Sequence, residues 1–540
     1  MPAEAKAILN AAAVVGTRFD LDTLRALRPE MVSSHLAELV SAELIDQTEF
    51  VPRQRYCFHH PLVRAVAYDS QLTATRRQAH RRLAAAIEAR GRGVADENAA
   101  LIATHLEAAG DNAAAYRWRM RAAEWLRPRD LLAARAEWEN AQRIADRLPD
   151  GHDVVAMRIA PRTMLMSTLL YVGDDVDTYE QYLEFRRMSL QLGDLRSFAI
   201  GTAGRIFSFI VNNSQVPQAA ALAADVEGIV DDIGPDSQTK GIVLNSLAFA
   251  RFANCEFDAA LRIIDAILAL SDDAPLVELA PARALRGVIE ICLGDPARGW
   301  RHLREGTDQA RELHPVNYAM ILHFSVIVAA LGMCRAEDLV EDVREALRRA
   351  ESFGDMSGII SAQWAYGTVL LRTQNASHDV AIRLLEHARA SARKHRLITL
   401  SLATIAADLA VDAARKGRRD EAIEDLRASF KLHMGSGMRI YAVCPGEALM
   451  EILLARGTAN DISEARQIIE QWNDHRPGVP ALDLWWLKSR ALMAKAERNW
   501  SAYAELARQY LEECEKLGAR GRLAQAHRLV NEATAGIGVV

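Results

Sequence analysis

Between residues 179 and 503 one pattern returns about every forty residues: a polar turn, a small residue, then apolar residues three, four and seven positions further on. Ala260 is followed by Ile263, Ile264 and Ile267, Ala381 by Leu384, Leu385 and Ala388, and Ala465 by Ile468, Ile469 and Trp472. That spacing draws one apolar stripe along a helix, and the small residue lets the preceding helix approach closely. Weaker copies stand between: Gly299 before Leu303, Leu339 before Val343 and Ala346, Ala422 before Leu426. Ala220 and Tyr179 extend the phase upstream and Tyr503 ends it. One helix pair of this length cannot bury its own apolar face, so neighbours must stack into a shared core. The expected fold is all-α, a right-handed helical-hairpin solenoid over residues 96–535 with 536–540 as a tail. Turns such as Gly294-Asp295-Pro296 and Lys416-Gly417-Arg418-Arg419-Asp420 suit it.

The stretch Gly417 to Ile423, Gly-x-x-Asp-Glu-Ala-Ile, resembles the second-helix start of a tetratricopeptide repeat. A period near forty exceeds the roughly 34 residues of that repeat and approaches the roughly 40–47 of HEAT units. The small residue at the hairpin contact favours a long-helix, tetratricopeptide-like array.

Other chemistries are excluded by what the sequence lacks. No Gly-Lys dipeptide occurs, so the chain has no phosphate-cradling P-loop, and there is no GxSxG, HExxH or strand-following GxGxxG. No catalytic residues, cofactor or metal are therefore expected. The six cysteines are scattered without a CxxC pair, which argues against a disulfide-stapled secreted domain. A net charge of −6 carries no global basic field, so neither nucleic acid nor membrane is the expected partner. The longest apolar run, Phe324 to Met333, is half a membrane span, and Ala7 to Val15 is too short and too soon followed by charge for a leader. A cytoplasmic location follows as the expectation. Asp174-Asp175, Asp231-Asp232 and Asp272-Asp273 read as helix caps and solvated loops.

Residues 1–95 do not share the period. Leu21 to Leu27 and Val32 to Val40 read as short helices, and Leu44-Ile45 and Tyr56-Cys57-Phe58 bracket a polar turn with Pro52. Helices followed by a small hairpin are the layout of a winged-helix domain. Helices over Leu62–Leu72 and Thr75–Ala89 follow, ending at Gly91.

The run Ala11-Ala12-Ala13-Val14-Val15-Gly16-Thr17-Arg18-Phe19-Asp20 resembles the start of the winged-helix module in bacterial signal-transducing ATPases with numerous domains. Phe58, His60, Leu62, Arg64 and Tyr68 match that group's Phe-x-His-x-Leu-x-Arg…Tyr signature, and Leu72, Arg76, Arg77 and His80 continue it. Thr104 to Asp111, with His105, resembles the group's first solenoid helix. The likeness implies a regulatory half: a winged helix and a tetratricopeptide sensor that elsewhere follow an ATPase and an effector. Some relatives carry class III adenylate or guanylate cyclases, and others are transcriptional activators. Of that domain order only the regulatory half is expected in residues 1–540, without the effector and ATPase segments.

Several residues admit a functional reading beside a structural one. In the third helix His35, Glu38 and Ser41, with Glu43, would meet DNA, and only Arg53 and Arg55 on the wing oppose their charge; packing against protein is favoured. The basic helix bearing Arg76, Arg77, Arg81 and Arg82 reads as a solvated face or an anion strip. His59, His60, His80 and His105 read as structural contacts. Trp472, Trp485 and Trp486 are candidates for a partner or ligand groove, or for filling of a terminal repeat. The expected function is non-catalytic recognition of a partner protein, such as an ATPase or cyclase subunit, or of a small effector. Action beside a separately encoded catalytic part and DNA-binding regulation are the alternatives.

Overall fold

The structure, a computed structural model, describes residues 1–28, 33–50, 54–172, 177–270, 275–373 and 377–537. The chain forms two compact units, Met1–Leu165 and Met166–Val540.

The first unit opens with α1 (Ala3–Val15), β1 (Arg18–Asp20), α2 (Leu21–Leu27), α3 (Ser33–Ser41), β2 (Ile45–Glu49), β3 (Arg55–Phe58) and α4 (Pro61–Asp69). β3 is central and pairs antiparallel with both neighbours, setting Arg18 opposite Cys57 and Ile45 opposite Phe58. The helices and hairpin fall where the sequence placed them. β1 does not appear in that reading, because three residues are too few for an alternation signal. Asp20 ends it and caps α2, accepting from the Thr23 amide at 2.7 Å.

There follow α5 (Thr73–Glu88), α6 (Arg92–Glu97), α7 (Ala99–Ala108), α8 (Asn112–Leu126), α9 (Leu131–Asp146) and α10 (His152–Ser167). One continuous core runs from Ile8 and Leu24 through Leu83 and Ile102 to Tyr116 and Ile144. The unit therefore extends to Leu165, well beyond the boundary drawn at residue 95: α7 to α9 bury their stripes on this core.

In the second unit α11 (Asp177–Leu192) precedes eight hairpins among the described residues. They pair α12 (Leu195–Val211) with α13 (Val216–Glu227), α14 (Ser237–Ala253) with α15 (Phe257–Leu268), α16 (Leu276–Leu293) with α17 (Pro296–Arg311), and α18 (Pro315–Ala330) with α19 (Val340–Phe353). The series continues with α20 (Met356–Arg372) and α21 (His378–His395), α22 (Leu402–Arg415) and α23 (Arg419–Gly435), α24 (Arg439–Arg456) and α25 (Ala459–Asp474), then α26 (Pro480–Ala496) and α27 (Trp500–Lys516). α28 (Leu523–Ile537) closes it. This is the helical-hairpin solenoid that the period dictates.

The marker residues fall in the first turns of the second helix of successive hairpins, except Leu339, which ends the short turn just before α19. Ala260, Gly299, Leu339, Ala381, Ala422, Ala465 and Tyr503 are all buried. Two upstream markers are out of phase: Ala219 rather than Ala220 takes the buried place in α13, and in α11 Tyr182 and Phe185 are buried while Tyr179 is 42% exposed. Of the acidic pairs, Asp231-Asp232 lies in a turn as expected, and the other two lie outside the described residues.

Each first helix also packs on the first helix of the next hairpin, so the first helices of the eight hairpins, from α12 through α14 and α16 to α26, form an inner layer. The superhelix then returns onto itself. Ser357 Oγ donates to the Tyr171 carbonyl (3.3 Å), Ile398 N–H to Asn212 Oδ1 (2.9 Å), and Arg522 Nε to the Leu331 carbonyl (2.6 Å). These partners are 186 to 191 residues apart, so one superhelical turn holds between four and five hairpins.

Candidate functional site

The inner layer lines a half-open cavity of about 320 Å³. Its walls come from α12, α14, α16, α18 and α20 and from the short turns around Tyr171 and Leu400. Phe207, Phe249 and Phe324 form an aromatic side, with Phe249 5.8 Å from Phe207 and 6.1 Å from Phe324. Leu285, Ile321 and Leu400 widen the apolar surface. Ile398, also in the wall, holds φ at 52°, a costly conformation for a β-branched residue, and Asn212 pins its amide.

Glu278, in the first turn of α16, sits in this wall only 8% exposed. Its stem lies on Gly241, where an added Cβ would stand 2.9 Å away. Asn245 of α14 donates to the Gly241 carbonyl (2.9 Å), the Glu278 carbonyl (2.9 Å) and Glu278 Oε2 (3.2 Å). No described arginine or lysine pairs with this carboxyl, and none lines the cavity. Burial pushes the Glu278 carboxyl up to about 7. Pro281, one turn on, cannot donate to the Val277 carbonyl, and both residues line the cavity. The other titratable groups present stay uncharged. Burial pushes His323 down to about 3 and Tyr171 up to about 12. His323 Nε2 lies 2.8 Å from the Tyr441 hydroxyl.

The residues singled out in the sequence lie elsewhere. Phe58 is buried in the first unit's core, while His60 caps α4 through the Leu62 amide (3.2 Å). Leu62 is 67% exposed, and Arg64 Nε donates to the Ala13 carbonyl (3.2 Å). Tyr68, His80 and His105 form a chain: Tyr68 hydroxyl to His80 Nε2 at 2.9 Å, and His80 Nδ1 to His105 Nδ1 at 3.1 Å. His59 instead pairs with Asp46 at 3.0 Å.

The basic strip divides. Arg76 pairs with Asp69 (3.4 Å) and covers the Tyr68 ring at 5.0 Å, Arg81 reaches the Ala109 carbonyl at the end of α7 (3.5 Å), and Arg77 and Arg82 are exposed. Arg55 is held by Glu49 (3.1 Å); Arg53 lies outside the described residues. On α3 Glu38 and Ser41 are exposed, whereas His35 is half-buried. Trp472 and Trp485 are fully buried with ring centroids 4.8 Å apart, so they fill the core between hairpins and offer no groove surface. Trp486 is half-buried between Arg476 (4.3 Å) and Arg490 (4.7 Å). Glu278, Asn245 and the phenylalanines were missed, although a Glu and a Pro inside the apolar Leu276–Leu293 stretch were a visible irregularity.

No protein-family model matches the chain. An uncharacterized protein of Rhizobium meliloti (strain 1021) is 37% identical over 115 residues, a match covering 20% of this chain and 11% of that relative's own length. Among solved structures, a Rap protein complexed with competence and sporulation factor has a TM-score of 0.46 at 13% identity, covering 67% of this chain and 99% of that one. The quorum sensor NprR from B. thuringiensis gives 0.35 at 12% identity, over 62% and 98%. A signal-transduction ATPase with numerous domains and a tetratricopeptide repeat sensor, from Pyrococcus horikoshii, gives 0.34 at 10% identity, over 99% and 66%. Among the described residues no helix is long and apolar enough to cross a membrane.

Proposed function

We propose that this chain is a non-catalytic regulatory scaffold of ATPase- or cyclase-linked signalling, and that its second unit senses a small effector in the cavity of the inner layer. The observation that carries this reading is the cavity itself: apolar walls, a few convergent polar groups, and a perturbed carboxyl, which together are the usual marks of a ligand site. Because the same helices carry turn-to-turn contacts, a ligand that fits one spacing of the inner layer biases the whole superhelix.

A second reading, action beside a separately encoded ATPase or cyclase part, draws support from α4 and the turn after it. Leu62 and Val66 are each 67% exposed and Leu72 is 77% exposed, an apolar patch of the kind that protein partners cover.

Thermal-shift screening of the purified chain, beside an Ile321→Trp variant that fills the cavity, tests the sensor reading. Stabilising compounds should lose their effect in the variant. Equal shifts in both proteins would place binding elsewhere. Saturable ATP hydrolysis or cyclic-nucleotide formation by the chain alone would overturn the non-catalytic assignment.

A further inference from the structure

The cavity's chemistry is more specific than its apolar walls suggest. It holds one carboxyl and no arginine or lysine, and burial keeps its two other titratable groups, His323 and Tyr171, neutral near pH 7. Beside the hydroxyl and amide groups of Ser167, Ser361 and Asn317, its polar edge carries a group of acceptors around Glu278. Glu278 Oε1 and Asn245 Oδ1 receive no hydrogen bond from the described residues, since the Asn245 amide N–H group is spent on Gly241 and Glu278. The Val277 carbonyl lacks the donor one turn on that a residue other than Pro281 would supply. Three phenylalanine rings line the same cavity. A buried carboxylate without a cationic partner is costly, and a cation placed between it and aromatic faces is doubly favoured.

We propose that this cavity is a binding site for a small apolar amine, held as its monocation by Glu278 with its hydrocarbon part on Phe207, Phe249 and Phe324. The inference rests on the sensor reading above and supplies the ligand class. Size agrees: an engineered cavity of about 150 Å³ takes benzene, so one twice as large accommodates an aromatic or alkyl amine of about ten heavy atoms. On binding, the carboxyl is ionised and the ammonium donates to it and to the neighbouring carbonyl and amide oxygens. An anionic ligand would meet the same oxygens with nothing to balance its charge, and a neutral one would forgo the ion pair.

Isothermal titration with 2-phenylethylamine and n-hexylamine, each beside its alcohol isostere, and with phenylacetate, tests this at pH 7.5. The amines should bind saturably at least tenfold tighter than the alcohols, and phenylacetate should not bind. Glu278→Gln keeps the shape of the site, so it should retain alcohol binding and lose the amine preference. Ile321→Trp should abolish both. Equal affinity for amine and alcohol, a preference for phenylacetate, or an unchanged preference in Glu278→Gln would overturn the proposal. If the alcohols bind wild type and fail with Ile321→Trp while the amines show no advantage, the amine assignment falls and the sensor reading stands. If no probe binds and the compounds of the wider screen ignore Ile321→Trp, both fall.

Discussion

His80 and His105 show what single side chains fix in the first unit. Burial lowers both, with Arg76 and Arg64 adding to the effect on His80, and His105 falls to about 4. The ordinary histidine value near 6.5 holds in the unfolded chain, so the unfolded state takes up protons first as pH falls. The pair's contribution is therefore fully present above pH 6.5 and is lost as pH drops from there toward 4. Over that window wild type should lose on the order of 2 kcal/mol that His105→Gln does not. Urea titrations at pH 7 and pH 5 measure the difference, and parallel losses in the two proteins would contradict it. The sequence made these histidines visible because they sit in a signature of recognisable residue types. It could not show Glu278, since one acid in an apolar helix looks the same whether it faces solvent or a cavity. Only the crossing of α14 over α16 at Gly241 decides that.

At the scale of elements, legibility followed amphipathicity. α15 buries one stripe, Phe257, Ala260, Ile264 and Ile267, and its repeat was plain in the sequence. α18 is buried around nearly its whole circumference, as a helix packed between outer partners and a superhelical interior must be, and so carries no phase to read. The same enclosure made Phe324 to Met333 look like half a membrane span. Hairpin geometry rests on small residues at the crossing. A Cβ on Gly299 would stand 2.6 Å from the Gly287 carbonyl oxygen, and one on Gly306 2.6 Å from the Ala284 nitrogen. Backbone cannot yield as a side-chain tip can, so Gly299→Ala should cost about 1–3 kcal/mol. Gly228→Ala makes the control, because nothing lies within 4 Å of that site and its φ is an ordinary −69°. Chemical denaturation of the two variants separates the cases; equal stability would mean that α16 and α17 are not this close.

A linear repeat array is stabilised by nearest neighbours alone and can unravel from its ends. The second unit escapes that limit where its last turn meets the fourth hairpin. Gly521 N–H donates to the Gly332 carbonyl (3.0 Å), and Arg522 both reaches Leu331 and grips Glu447 with two hydrogen bonds, 2.7 and 2.9 Å. Lys488 shares the same carboxylate at 2.6 Å and also pairs with Glu451. The two cations hold the Glu447 carboxyl far below the usual range. The period foretold stacking but not this closure, because contacts 191 residues apart depend on superhelical pitch, which small crossing angles accumulate and no local pattern records. Glu447→Gln keeps the shape and removes the charge, leaving Arg522 and Lys488 buried with less compensation, at a cost of about 3 kcal/mol. More telling than the magnitude is where it should appear. If closure couples the ends, hydrogen exchange should rise together around residues 331–335 and 519–526, and the single unfolding transition of the closed unit should split, with α26 to α28 melting first. Exchange that rises only beside Glu447 in α24, with the transition intact, would mean the ion network stabilises its own hairpins and the turns merely touch.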